Sequence, residues 1–225
     1  MSAKRPKTAS LRYERQYFAQ GVRHILGMDE VGRGAWAGPV VVGAVCLPVG
    51  DKELRRVLVG VRDSKQLSAH QRGSLVSTIR ETALAWGIGG AGNEEIDECG
   101  INAATEVAMK RALEDTLNRA DFAQPDALFL DAVLWPVMRH IPQVSIVNGD
   151  QRSLSIAAAS ILAKTWRDDM MRALHEQYPE YGFADHVGYG TAKHQSALKQ
   201  YGPSPVHRMY YRPVQNISQR RDRAE

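Results

Sequence analysis

Gly27-Met28-Asp29-Glu30-Val31-Gly32-Arg33-Gly34 places two adjacent carboxylates at the end of an apolar run and follows them with two glycines around one arginine. Adjacent carboxylates repel, so a fold has reason to aim both inward only where a cation sits. Glycine lets a backbone approach a ligand closely because no Cβ intervenes. Arginine is a planar, permanently charged donor suited to phosphate. The segment reads as a divalent-metal site beside a loop that holds something phosphorylated. Neighbouring strand residues point to opposite faces. Asp29 and Glu30 are therefore expected to share a site only if the strand bends or ends there, which the glycines would allow.

Outward from this stretch, residues 24–28 and 39–47 read as a strand pair. The second contains Val40-Val41-Val42-Gly43-Ala44-Val45, a run suited to burial on both faces. Ser68 with Gln71 makes a capping box, and Leu75, Ile79, Ala83 and Trp86 keep helical spacing after it. A strand over 85–90 is weakened by glycines at 87, 89 and 90. A second helix is expected over 102–119, with Met109, Leu113 and Leu117 four apart. Short strands follow at 126–131 and 143–147. A third helix over 153–177 carries the stripe Ile156, Ala159, Ala163, Trp166, Met170 and Leu174. Asp168 and Asp169, beside Arg167, read as its solvated face. Residues 1–20 are polar and basic and read as a flexible extension ending in a short helix around 13–20. Residues 21–214 form one domain, and 215–225 a polar tail. Strands early and helices alternating later give a mixed α/β domain with a helical C-terminal part.

The chain has 225 residues, 44% hydrophobic and 24% charged, enough to bury a real core. A formal charge of +4 is compatible with a nucleic-acid partner and does not require one. Cys46 and Cys99 are the two cysteines, too few for a disulfide framework, so a reducing compartment is expected. No secretory apolar region opens the sequence, and no apolar run reaches roughly 18 residues. A soluble, cytoplasmic protein without a membrane role is expected.

Asp29, Glu30, Asp131 and Asp150 each lie at or just past the end of an apolar strand-like run, where α/β proteins place ligand chemistry. Ser153 is available to cap the helix that follows, which leaves Asp150 freer for other work. Four carboxylates without a cysteine cluster argue for a hard cation, Mg²⁺ or Mn²⁺, rather than zinc. His186, His194 and His207 then read as loop scaffolding or phosphate contacts.

Asp29-Glu30-Val31-Gly32-Arg33-Gly34 with Ala37-Gly38-Pro39 resembles the opening signature of type 2 ribonucleases H, the bacterial ribonuclease HII family. Further blocks follow in order: Asp63-Ser64-Lys65-Gln66-Leu67-Ser68, Glu95-Ile96-Asp97 with Ile101-Asn102, Leu130-Asp131, and Gly149-Asp150. Then come Ser155-Ile156-Ala157-Ala158-Ala159-Ser160-Ile161-Leu162-Ala163-Lys164, Tyr181-Gly182-Phe183, His186, Gly188-Tyr189-Gly190-Thr191, His194, Gly202-Pro203 and His207-Arg208. The resemblance spans roughly residues 24–214. It implies a ribonuclease H-like fold, with a central mixed sheet flanked by helices and a C-terminal helical segment, so that 21–214 is the catalytic domain.

The implied reaction is metal-dependent hydrolysis 5′ of ribonucleotides in RNA–DNA hybrids and of single ribonucleotides embedded in DNA. It leaves a 3′-hydroxyl and a 5′-phosphate. By similarity Asp29, Glu30, Asp131 and Asp150 hold two divalent ions, Mn²⁺ or Mg²⁺, with Asp29 bridging. Backbone groups of Gly32, Arg33 and Gly34 would sense the 2′-hydroxyl and Tyr189 would pack on the adjoining deoxyribose. Lys65, Lys164 and Thr191 are candidate phosphate contacts. Tyr189 in Gly-Tyr-Gly-Thr favours type 2 over type 3 ribonuclease H, and the four intact acids speak against a hybrid-binding protein that no longer cleaves. Three departures stand out: Ala132 where glycine is usual, Thr165 for valine, and Met209-Tyr210-Tyr211 after His207-Arg208. No sliding-clamp motif is evident in the tail, and a monomer is expected.

Overall fold

The computed structural model describes residues 8–222. In chain order the elements are α1 (Arg12–Ala19), β1 (Ile25–Val31), β2 (Val40–Cys46), α2 (Leu54–Val57), α3 (Ala69–Thr82), β3 (Ala85–Ala91) and α4 (Asn93–Leu117). They continue with β4 (Ala127–Asp131), β5 (Gln143–Ile146), α5 (Gly149–Arg152), α6 (Leu154–Gln177), α7 (Phe183–His186), α8 (Ala192–Tyr201) and α9 (Arg212–Asp222). The five strands form one mixed sheet in the order β3-β2-β1-β4-β5. β1, β2 and β3 are antiparallel neighbours, whereas β4 and β5 run parallel to β1.

Period-two alternation divides the strands between two layers. Leu26, Met28, Val40, Val42 and Ala44 pack with Ala104, Ala108 and Ala112 of α4 on one face. Val45 packs with Ala157, Ala158, Ala159 and Ile161 of α6 on the other. The small side chains of α6 explain why its string is rich in alanine and serine. The capping box forms as read, with the Gln71 N–H donating to Ser68 and the Ser68 N–H to the Gln71 side chain.

Several expectations are corrected. Trp86 belongs to β3, not to the preceding helix, and the guanidinium groups of Arg80 and Arg119 each lie 4.4 Å from its ring. α4 starts at Asn93, earlier than expected, and turns sharply at Gly100, whose φ is 79°. The expected stripe of α6 fails in its second half, where Trp166 and Met170 are 37% and 39% exposed. The buried row steps by four instead, through Ala159, Ala163, Arg167 and Met171.

The short helix expected around 13–20 forms as α1, whereas the looseness expected of the segment is corrected from residue 8 onward; residues 1–7 lie outside the described residues. Ala9 and Leu11 are buried with the α6 layer. Glu14 of α1 is fully buried and accepts from the Ser153 hydroxyl at 2.6 Å, the Ser155 hydroxyl at 2.9 Å and the Ser155 N–H at 3.0 Å. A carboxylate at the start of α6 meets the positive end of the helix dipole, which ties the segment down. The polar tail expected over 215–225 is helical through 222, because Val214 and Ile217 pack against the Tyr181 and Phe183 cluster. Among the described residues no helix is long and apolar enough to cross a membrane.

Candidate active site

The parallel ladder between β1 and β4 stops at the Met28–Leu130 pair. Asp29 and Asp131 are the next residues on the two strands, at the carboxyl ends where open α/β sheets hold ligands. β1 does not end at Asp29, because its antiparallel pairing with β2 continues to the Val31–Val41 pair. Asp29 and Asp131 thus lie side by side just past the end of that ladder, with Glu30 next to Asp29 on β1.

Asp29 is buried, with a hydrogen bond from Ser160 of α6. Burial, followed by the charges of Glu30, Asp131 and Asp150 against that hydrogen bond, pushes its carboxyl up to about 8. Glu30 is also raised, chiefly by burial; Arg33 opposes the shift and Asp131 adds to it. Glu30 Oε2 is buried without a hydrogen-bond partner. Asp131 is oriented by the Gly149 N–H, which donates to its Oδ1 at 2.8 Å. Asp150 sits in α5, buried, and is pushed up to about 6 by burial, then by Asp63 and Asp131. The structure thus brings all four expected acids into one electrostatically coupled group. As expected, Ser153 caps α6, accepting from the Ile156 N–H at 3.3 Å.

Lys65 lies 3.9 Å from Asp150. Burial opposes its charge, but Asp150, Asp29, Asp63 and Asp131 outweigh it and hold the ammonium above its ordinary value. The acids are therefore a strong cation attractor. They do not form a closed cage, since among the described residues no three His, Cys, Asp or Glu side chains are arranged to hold a metal ion. Hard divalent ions commonly complete their shells with water and substrate phosphate rather than an all-protein cage. An all-oxygen donor set with an unpartnered Glu30 oxygen fits such an ion.

In the glycine loop, Gly32 has φ 89°, and a Cβ there would run into the Arg167 side chain. Arg167 is buried and donates to the carbonyls of Pro39 at 2.9 Å, Val187 at 2.9 Å and Ala37 at 3.2 Å. Its guanidinium lies 5.6 Å from the Tyr189 ring, so one side chain links the Gly32 turn to Tyr189. The Arg33 side chain turns onto α4, donating to Asn102 at 2.8 Å and Thr105 at 3.1 Å. That leaves the backbone, rather than the guanidinium, as what the Gly32-Arg33-Gly34 turn presents. Thr191 caps α8, accepting from the His194 N–H at 3.3 Å. Lys164 is engaged with Asp168 at 2.5 Å.

Asp168 is not on a solvated face. It is buried between Lys164 and Arg72, the latter at 2.8 Å. Asp169 is exposed and pairs with Arg172. Of the two roles open for the histidines, the structure shows scaffolding. The Ser204 N–H donates to His207 Nδ1 at 2.9 Å, His207 and His194 meet through their Nε2 atoms at 2.9 Å, and His194 Nδ1 reaches the Tyr189 carbonyl at 3.0 Å. That chain needs neutral rings, consistent with burial lowering His194 to about 4 and His207 to about 3.

Sequence reading assigned no role to Asp63, Ser160, Arg167 or Arg208. Asp63 is buried beside Asp150 and accepts from the Lys65 N–H at 2.9 Å, from Gln66 at 3.1 Å and from Gln151 at 3.3 Å. Its signal in the sequence was its place at the head of the Asp-Ser-Lys turn. Arg208 stood in the His207-Arg208 pair of the resemblance without a role of its own, and Arg167 gave no such signal, because an arginine in a polar stretch reads as exposed.

Residues 26–214 match the family model described as Ribonuclease HII. A Halalkalibacterium halodurans protein described as Ribonuclease HII is 47% identical over 208 residues, covering 92% of this chain and 74% of that protein. The crystal structure of ribonuclease H2 from Pyrococcus horikoshii superposes with a TM-score of 0.70 at 26% identity, over 88% of this chain and 98% of that one. Ribonuclease HII from Archaeoglobus fulgidus, in a complex with PCNA, gives 0.69 at 26% identity over 86% and 96%. The chain belongs to the ribonuclease HII family and is a ribonuclease H, an endonuclease acting on RNA–DNA hybrids in a family that works with divalent metal ions.

Proposed function

We propose that this enzyme cuts the phosphodiester on the 5′ side of ribonucleotides, both in hybrids and at single ribonucleotides embedded in DNA duplexes. The products carry a 3′-hydroxyl and a 5′-phosphate, and the role is ribonucleotide removal from DNA in the cytoplasm, by a monomer. The observation that carries the proposal is the Asp29 carboxyl, buried within the fields of Glu30, Asp131 and Asp150. Clustering carboxylates out of water is costly unless a cation joins them. These four residues would hold two ions, Mg²⁺ or Mn²⁺, with Asp29 bridging. Such ions, when bound, activate water and stabilise the leaving oxygen.

The remaining residues bind and orient. The backbone of Gly32, Arg33 and Gly34 reads the 2′-hydroxyl, the group that separates RNA from DNA. Tyr189, backed by Arg167, packs on the neighbouring deoxyribose. Lys65 and Thr191 contact phosphates, which positions the duplex without reading sequence. Lys164 does the same only when its pair with Asp168 opens. No clamp partner belongs to the proposal.

The test is cleavage of a labelled DNA duplex carrying one ribonucleotide, with Mg²⁺, with Mn²⁺ and with chelator. Metal-dependent incision 5′ of the ribonucleotide is expected. Asp29→Asn should abolish incision while keeping duplex binding, and Tyr189→Ala should weaken cleavage at single ribonucleotides more than along continuous hybrid. Tight binding without incision by the unmodified enzyme would instead favour a hybrid-binding protein.

A further inference from the structure

Beside the acids lies a second feature that the catalytic chemistry does not use. A cleft of about 1160 Å³ opens between the N-terminal segment and the chain around α2. Thr8, Ala9 and Arg15 form one wall; Lys52, Arg55, Arg56, Val59 and Arg62 form the other. The two walls are fastened together. The Ala9 N–H donates to the Val61 carbonyl at 2.8 Å, and the Gly60 N–H donates to the Thr8 hydroxyl at 2.9 Å. Leu54, Leu58 and Val61 are buried in the core, which leaves the cationic residues of the same stretch on its outer side. This basic wall is built into the fold rather than borne on a loose tail.

The charge on the cleft is one-sided. Five cationic residues line it against a single acid, Asp63. Arg56 is paired with Glu53. Arg15, Lys52 and Arg55 are exposed, and no ion pair engages them among the described residues. The floor is Asp63, Gln66 and Gln151, which are hydrogen-bonded together, and Asp63 also acts on the carboxyl of Asp150. The cleft is thus continuous with the catalytic acids, one residue removed. A polyanion whose scissile phosphate lies at Asp150 is placed to run into it.

We propose that this cleft binds the sugar–phosphate backbone of the same duplex beyond the scissile position, through Arg15, Lys52 and Arg55. The proposal rests on the active-site assignment above and adds a binding surface to it. Exposed cations with no internal partners contribute by neutralising phosphates and releasing counterions, without reading bases. The surface should therefore lower KM for long duplexes and leave kcat alone.

The test compares the unmodified enzyme with the Arg15→Gln/Lys52→Gln/Arg55→Gln triple variant on two labelled duplexes with one ribonucleotide each. One duplex extends on both sides of the ribonucleotide; the other is trimmed close to it. On the long duplex the triple variant is expected to raise KM about tenfold or more. Its plot of log KM against log salt should lose about 2 to 3 in slope, close to one per phosphate contact removed. On the trimmed duplex the two proteins should match, and an unchanged melting temperature would show that the variant folds. Equal KM and equal salt slope on the long duplex would overturn the cleft, as would an equal loss on both duplexes. Absence of incision by the unmodified enzyme would instead reject the active-site assignment, and retained binding on the long duplex would still report on the cleft.

Discussion

The carbonyl oxygen of Arg33 accepts from the Arg208 guanidinium at 2.9 Å, across 175 residues of sequence. The Tyr211 hydroxyl donates to the same oxygen, and Arg208 also holds the Gly38 carbonyl at 2.8 Å. The middle of the turn proposed to sense the 2′-hydroxyl is thus clamped from the C-terminal end of the domain. Asp97 braces that end, accepting from the N–H groups of Met209 at 2.9 Å and Tyr210 at 2.7 Å. The unusual Met209-Tyr210-Tyr211 ending therefore keeps a defined link to the site.

Tyr211→Phe removes one donor from the Arg33 carbonyl and leaves Arg208 in place. A hydrogen bond of this kind contributes about 1 kcal/mol. The expected result is a fall of about fivefold in kcat/KM at single embedded ribonucleotides, with a smaller fall along continuous hybrid. Steady-state kinetics on the two substrates would show it. Equal rates for variant and parent would mean that the turn holds its shape without Tyr211.

The raised carboxyl of Asp29 makes the metal-free protein sensitive to pH. Unfolded, the group loses its proton near 3.8; folded, it does so near about 8. Between those values the folded chain keeps a proton that the unfolded chain has released, so raising the pH favours unfolding. Chelated protein is expected to melt at progressively lower temperature from about pH 4 to about pH 8, and Asp29→Asn should flatten that slope. Divalent ions need the ionised carboxylate, so their affinity should rise over the same window. A chelated protein equally stable across the range would mean that folding does not make Asp29 hold its proton.

The acids were legible in the sequence because Asp29-Glu30 is contiguous and followed at once by its glycine turn. Asp131 and Asp150 were legible because each follows a short apolar run. β3 was harder, since its glycines argued against a strand. The structure gives them a purpose: a Cβ at Gly89 would lie 2.8 Å from the Arg111 Cβ of α4 and closer still to the helix backbone. That requirement depends on which helix covers the strand, and a one-dimensional pattern does not carry it. Asp168, Arg167 and Arg208 were misread or missed for a related reason. Each is a charged residue buried against partners far along the chain, whereas periodicity places charge outside. The N-terminal segment was misjudged by its basic composition, because its anchors are the buried Glu14 together with the buried Ala9 and Leu11.

Glu14→Ala tests that anchor. It strips the Ser153 and Ser155 hydroxyls and the Ser155 N–H of their acceptor and removes the anion from the start of α6. Buried polar groups left unpaired make such a change cost about 2–4 kcal/mol. For a chain of this size the melting temperature should drop by roughly 5–12 °C. Glu14→Gln, which keeps a carbonyl acceptor, should lose less. If deletion of residues 1–20 leaves the melting temperature unchanged, the segment is an appendage after all.

Ala132 sits directly after Asp131 with φ 53°, in the left-handed region. The family resemblance calls for glycine at this place, and here the added methyl meets an unfavourable backbone. A left-handed alanine costs about 1–2 kcal/mol. Glycine relieves this but gains freedom in the unfolded chain, which offsets part of the benefit. Ala132→Gly is therefore expected to stabilise the protein by about 0.5–1 kcal/mol, raising the melting temperature by roughly 1–4 °C. Activity should change little, because the Gly149 N–H still orients the Asp131 carboxylate at 2.8 Å and the Ala132 N–H still reaches the Ile146 carbonyl at 3.2 Å. Ala132→Val should do the reverse, since a β-branched side chain tolerates a positive φ worse than alanine does. Calorimetry on the three proteins decides it. A Gly variant less stable than the parent would show that the methyl contributes packing that outweighs its strain.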